Sequence, residues 1–241
     1  MQTSRIWNRD LIKYIAIIAM LLDHIAWYLL PFASPAAQAF HVVGRITAPV
    51  MCFFIAEGYC YTRSVKKYAL RLFLFAVASQ IPWSLLHQDS STLSFNMLFS
   101  LFFGLLAVHA AATISRPALR LLAVAACIGV TYWCDWHFYA VIWCVLFYVL
   151  RTRRKTALAV YAGTVAFYIL NSFLWKVYDG QAALQAAVNM AFTFGLFLPV
   201  PLLLLYNGQK GHCKGSKWVF YVFYPLHLLA IALIRAHLQS S

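Results

Sequence analysis

Asp23 and His24 stand side by side about two thirds of the way along one apolar run, and Glu57 takes a similar place in the next run. An unpaired carboxylate at the centre of a membrane helix costs about 2.5–3.5 kcal/mol on insertion scales, so such residues must be paired, protonated or open to water. Adjacent carboxylate and imidazole groups supply acid–base chemistry: the histidine takes or gives a proton, and the carboxylate orients it or stabilises its charged form. A further histidine, His227, closes the stretch Tyr221-Val222-Phe223-Tyr224-Pro225-Leu226-His227, where the proline should bend the helix. Taken singly, each residue is equally well explained as polar glue between helices. Several in one small chain make intramembrane function the default, with His24, Asp23, Glu57 and His227 as the acid–base set.

Lys13 precedes His24 by eleven positions, about three turns and roughly 16 Å along one helix face. Its ammonium sits where a helix mouth could meet phosphate, while His24 projects deep in the bilayer from the same stripe. That geometry suits a long ligand with an anionic head and a reactive tail. The bland reading of such a lysine is simple snorkelling. Downstream, Gly44-Arg45 opens a second helix, Pro49 lies within it, Glu57-Gly58-Tyr59 approaches its inner end, and Arg63, Lys66, Lys67 and Arg71 follow. Arg63 and Arg71 join Lys13 as candidates for binding phosphates; Lys66 and Lys67 fit a topological role better. Arg45, Asn96, Asp135 and Tyr224 are candidates for binding substrate, with helix capping or interfacial anchoring as the alternative for Asn96 and Asp135.

These residues need a scaffold, and composition says which. Of 241 residues, 63% are hydrophobic and 10% charged, against roughly 45–50% and about 25% in soluble domains. The chain is therefore a membrane protein. Nineteen Lys and Arg against six Asp and Glu give +13, but the basic residues fall in short clusters between apolar runs and form no continuous basic face, which argues against nucleic acid as a partner. The six cysteines lack metal-ligand spacing, so no metal is expected. The apolar stretch from Leu11 to Leu30 exceeds the ~7–15 residues of a signal-peptide core and reads as a retained helix.

Apolar runs predict an all-α, polytopic helix bundle of about nine transmembrane helices, at about 11–30, 43–62, 68–87, 94–114, 118–134, 138–150, 157–176, 183–206 and 218–235, forming a single domain over 1–241. The sixth run is short. Arg5 and Arg9, then Arg63, Lys66 and Lys67, then Arg116 and Arg120, then Arg151, Arg153, Arg154 and Lys155, then Lys210, Lys214 and Lys217 occupy alternate connections. By the positive-inside rule this sets the N-terminus in the cytoplasm and the C-terminus outside.

The segments Lys13 to His24 (KYIAIIAMLLDH), Gly44-Arg45 to Pro49, Glu57-Gly58-Tyr59, Thr62-Arg63 with Lys66-Lys67-Tyr68, Arg71-Leu72, Gln80-Ile81-Pro82, and Asn207-Gly208 to Gly211 leading into FYVFYPLH resemble the TraX family of bacterial membrane proteins across nearly the whole chain. More distantly, Lys13-x10-His24 and the Glu57-Gly58-Tyr59 element are similar to motifs of membrane acyltransferases. The resemblance implies an acetyltransferase of the bacterial inner membrane, since the named member of the family acetylates the N-terminus of a conjugative pilin. The expected donor is acetyl-CoA; the expected acceptor is an amine, such as a pilin N-terminus, or a hydroxyl. His24 is then the general base, or briefly carries the acetyl group. Two rival classes remain: a proton-coupled transporter and a non-catalytic pilus assembly factor.

Overall fold

Helix starts follow the local capping chemistry. Asn8 accepts from Leu11 N at 2.9 Å and opens α1, Arg9–Leu29. Ser34 accepts from Ala37 N at 3.2 Å, and Pro35 supplies the first residue of α2, Pro35–Gly44, the position where a missing N–H costs nothing. Thr47–Tyr61 forms α3, and Ser64 caps α4, Val65–Leu86. Asn96 caps α5, Met97–Thr113, and α6 and α7 are Pro117–Val130 and His137–Val149. Then come α8, Arg154–Tyr178, and α9, Ala183–Met190, followed by a 3-10 segment, Ala191–Phe197. The last two are α10, Pro199–Leu204, and α11, Ser216–Ser240.

This computed structural model describes residues 7–87, 94–211 and 216–240, and for Ser216 and Lys217 the backbone alone. Arg5, Asp89, Cys213 and Lys214 lie outside the described residues. Among those described, every regular element is helical. Six spans are long and apolar enough to cross a membrane: Arg9–Leu29, Pro35–Tyr61, Val65–Leu86, Arg154–Tyr178, Ala183–Leu204 and Trp218–Ser240. Three apolar helical runs are shorter: Met97–Thr113, Pro117–Trp133 and His137–Val149. All nine predicted runs are thus helical, and the protein is a multi-pass membrane protein. Three of them are short where one was expected; α7, at 13 residues, is only about 20 Å long against a hydrocarbon core of ~30 Å. Large apolar side chains such as Ile81, Leu121, Leu122 and Leu184 stand exposed on the helices, as lipid-facing surfaces require.

Two spans depart from the predicted helices by being broken. The second begins at Pro35, not at 43, and breaks between Gly44 and Thr47; the eighth passes through the 3-10 segment before Pro199 and Pro201. Irregular backbone at membrane depth persists only where protein or a cavity satisfies it. Each break is tied to a neighbouring helix by a side-chain hydrogen bond. Thr47 Oγ1 donates to Ala16 O at 2.9 Å, and the buried Tyr161 hydroxyl donates to Leu196 O at 2.7 Å.

The chain divides into two compact units, Met1–Val50 with Arg153–His212 and Met51–Thr152 with Cys213–Ser241. In the first, α1 packs on α2, α2 on the 3-10 segment, and α8 on α9, α10 and that segment. Gly195 meets the Val42 carbonyl so closely that a Cβ there would overlap it, so the two breaks touch through bare backbone. At the unit's edge Trp7 pairs with Tyr206: Asn207 N donates to Trp7 O and Arg9 N to Gln209 O, each at 2.9 Å. Arg154 reinforces this edge, donating to Tyr206 O and lying 5.2 Å from the Tyr206 ring centre.

In the second unit α11 packs on α4, α4 on α5, and α5 on α6 and α7. A Cβ on Gly104 would stand 2.6 Å from Cys144 Sγ, so α5 and α7 meet through small residues. Arg235 on α11 donates to Leu86 O at 2.9 Å, satisfying a terminal carbonyl of α4.

Candidate functional site

Asp23 projects from α1 toward α2. Its Oδ1 lies 2.7 Å from His41 Nδ1, and its Oδ2 accepts from an Arg45 terminal nitrogen at 2.6 Å. His41 and Arg45 are four positions apart, so the last turn of α2 presents both to one carboxylate. Cations at a helix C-terminus also complement the helix dipole. Gly44 lets the carboxylate approach, because a Cβ at that position would overlap the Asp23 side chain. The group is almost dry: the His41 side chain is 0% exposed, and those of Asp23 and Arg45 are each 13% exposed.

Aromatic rings close around the imidazole. Trp27 lies 4.4 Å from His41 between ring centres, Phe192 at 5.4 Å and Phe32 at 5.5 Å. The Arg45 guanidinium sits 5.3 Å from the Phe192 ring centre, a cation–π arrangement. His41 Nε2 is buried with no hydrogen-bond partner. A histidine whose Nδ1 is held by a carboxylate and whose Nε2 is left over has the arrangement of a general base.

His24 follows Asp23 by one residue and is therefore turned about 100° around α1. It lies 6.2 Å from Tyr28 between ring centres, and the carboxylate expected to orient it binds His41 and Arg45 instead. Lys13 shares the His24 face of α1, and both are half-buried.

Glu57, Arg63, Arg71, Asn96, Asp135, Tyr224 and His227 belong to the second unit. Glu57 is half-buried on α3, and Arg63 is exposed beyond its end. Gly58 next to Glu57 meets Tyr68, whose hydroxyl would be 3.0 Å from an added Cβ. Arg71 lies 5.6 Å from the Tyr68 ring centre and beside Tyr221. Asn96 is fully buried and spends its side chain on structure: Nδ2 donates to Ala76 O at 2.8 Å and to Gln80 Oε1 at 2.9 Å, while its oxygen caps α5. The Tyr224 hydroxyl accepts from Met97 N at 3.3 Å. His227 Nδ1 is 2.9 Å from Phe223 O, one turn back on α11, and its ring stacks on Phe223. Asp135 uses its backbone, donating to Phe95 O and accepting from Ser100.

Sequence reasoning missed His41, which it left outside the second helix, and His109, which pairs with the Tyr59 hydroxyl at 3.1 Å. The signals for His41 were present: Ser34-Pro35 starts a helix early enough to include it, and His41 and Arg45 then share a face.

The TraX profile, described as TraX protein, matches residues 8–235. A protein of Dichelobacter nodosus called "Probable fimbrial assembly protein FimC, serogroup H1" is 33% identical over 239 residues, covering 95% of this chain and 96% of that protein. "Uncharacterized protein RP591" of Rickettsia prowazekii (strain Madrid E) is 35% identical over 96 residues, covering 40% of this chain and 34% of that protein. No solved structure matches. With the profile running from the start of α1 almost to the end of α11, the chain belongs to the TraX family.

Proposed function

We propose that this protein is an acetyltransferase of the bacterial cytoplasmic membrane. It moves acetyl from cytoplasmic acetyl-CoA to an amine, the N-terminus of a pilin or of another membrane protein, or to a hydroxyl. Its N-terminus is cytoplasmic and its C-terminus external, as the basic connections require. Lys13, Arg63 and Arg71 bind the donor phosphates, and His24 is the general base or a transient acetyl carrier. Glu57, Arg45 and His227 relay protons or bind the acceptor.

The observation that carries this reading is the Asp23–His41–Arg45 cluster, an ionisable group on two apolar spans, beside the place where Val42 meets Gly195. A fully dry imidazole bonded to a carboxylate is costly packing for a scaffold and useful equipment for proton transfer. Family membership supports the same reaction class, and the fimbrial name of the D. nodosus relative favours a pilin among acceptors. That name also supports a second reading, a non-catalytic pilus assembly factor.

Incubating the purified protein in nanodiscs with labelled acetyl-CoA and an apolar peptide bearing a free N-terminus separates the two. Label on the peptide, lost in a folded His24→Ala protein, is the expected result. Full transfer by His24→Ala removes His24 from its role, and absence of both CoA binding and transfer by the wild type leaves the assembly reading. A reporter fused to the C-terminus, active only outside the cytoplasm, checks the topology.

A further inference from the structure

Acetyl transfer to a protonated amine releases two N–H protons for each amide made: R–NH3+ plus acetyl–S–CoA gives R–NH–acetyl, CoA–SH and H+. The C–N bond forms, the C–S bond breaks, and the sulfur keeps the electron pair and takes one proton. The other must leave on a base before attack, because an ammonium has no lone pair. An α-amine has an ordinary pKa of about 7.7–8.0, so at neutral pH most of it arrives charged.

We propose that His41 is the group that takes this first proton, leaving His24 to manage the second. The inference rests on the acetyl-transfer reading above. His41 Nδ1 is engaged by Asp23 at 2.7 Å, while Arg45 answers the charge of the same carboxylate at 2.6 Å. In the Nδ1–H tautomer the imidazole donates to Asp23 and keeps its lone pair on Nε2. That nitrogen is buried and has no hydrogen-bond partner, an omission native interiors rarely leave without purpose.

The surroundings fit an ammonium. Trp27, Phe32 and Phe192 flank the ring, and aromatic faces attract a desolvated cation. Once the proton has moved, Asp23 stabilises the imidazolium. Two of these rings reach the surface: Trp27 and Phe32 are 45% and 38% exposed, and Phe32 lies in the turn between α1 and α2. On the elements packed against α2, the groups that bear on His41 are Asp23 and, turned aside on α1, His24; Arg45 follows on its own side, and Ala191–Phe197 carries no titratable residue.

The test uses the full chain in nanodiscs, labelled acetyl-CoA, and a synthetic apolar peptide with either a free N-terminal amine or an aminooxy group, which is neutral at pH 6. His41→Gln is expected to acetylate the amine peptide about a hundredfold more slowly at pH 6, to recover most of that loss by pH 9, where the amine deprotonates unaided, and to handle the aminooxy peptide at close to the wild-type rate. Wild-type rate on the amine at pH 6, or an equal deficit at every pH and on both peptides, overturns the assignment. If His41→Gln does not fold, the wild type decides. Its amine rate should hold up below the amine's own pKa, and a fall of tenfold per pH unit, tracking free amine in solution, overturns the assignment as well. Absence of wild-type transfer to either peptide is the separate failure of the acetyl-transfer reading and takes this inference with it.

Discussion

Gly44 touches Asp23 with no room between them: any side-chain carbon on α2 at that point would occupy the place of the carboxylate. Gly44→Ala is therefore expected to displace Asp23 from His41 and Arg45 and to cost about 1–3 kcal/mol, the usual range for overpacking. Gly195→Ala should be at least as harmful, since the atom in the way is the Val42 backbone carbonyl. Gly163→Ala, with open space around it on α8, should be neutral or stabilise by up to about 1 kcal/mol. Melting temperatures of the three variants in one detergent provide the comparison; a Gly44→Ala protein as stable as Gly163→Ala would contradict the packing described.

Asp23 serves two partners, His41 and Arg45, so the cost of removing it depends on what remains. Asp23→Asn leaves Arg45 charged in a nearly dry place, and breaking a buried pair from one side costs about 3–5 kcal/mol. The double variant Asp23→Asn, Arg45→Gln is expected to be more stable than Asp23→Asn alone, because the stranded charge is gone. A thermodynamic cycle measures this directly; additive losses would show that the two residues do not interact.

Asn96 ties α4 to α5 through Ala76 and Gln80 and caps α5 as well. Asn96→Ala should lower stability by about 1–3 kcal/mol by orphaning these buried partners, while the surviving folded protein keeps the wild-type KM for the donor proposed above, acetyl-CoA. A raised KM at unchanged stability would instead restore Asn96 to a substrate-binding role.

His87, just beyond α4, stacks on Trp83 and is pushed below the usual histidine pKa, first by burial and further by the charge of Arg235. The unfolded chain then binds a proton more readily than the folded one. The stability this site contributes is complete above the unfolded pKa of about 6.5 and is lost as pH falls below it toward the lower folded value. Melting temperature should drop as pH falls below about 6.5, and His87→Gln should flatten that slope. An unchanged slope in the variant would assign the drop to another group.

The apolar runs carried most of the architecture, because a run of about 20 apolar residues has few other fates. Asp23 was conspicuous for the same reason, as one of few charges inside such runs. Its partners were less legible. Hydropathy placed the second helix at 43, and His41 was lost with it; the Ser34-Pro35 start signal says otherwise. The eighth run, read as one helix over 183–206, is broken ahead of Pro199 and Pro201. The choice Asp23 makes between His24, its neighbour in sequence, and His41, across a helix contact, is set by the direction each side chain leaves α1 and by the bare surface of Gly44. Such tertiary choices follow from packing, which spacing along one helix does not encode.

The pairing of Trp7 with Tyr206 sets an order of assembly. As the chain leaves the ribosome, Asp23, His41 and Arg45 are all available once the first 45 residues are in the membrane, so the charged cluster can neutralise itself early. The hydrogen bonds from Asn207 N to Trp7 O and from Arg9 N to Gln209 O must wait until synthesis has passed residue 209. Until then the first two helices stand in lipid as an unfinished unit, with the second unit's core inserted between their synthesis and that of the helices that complete them. Arresting translation before residue 206 should therefore leave α1 and α2 open to crosslinking by the insertion machinery.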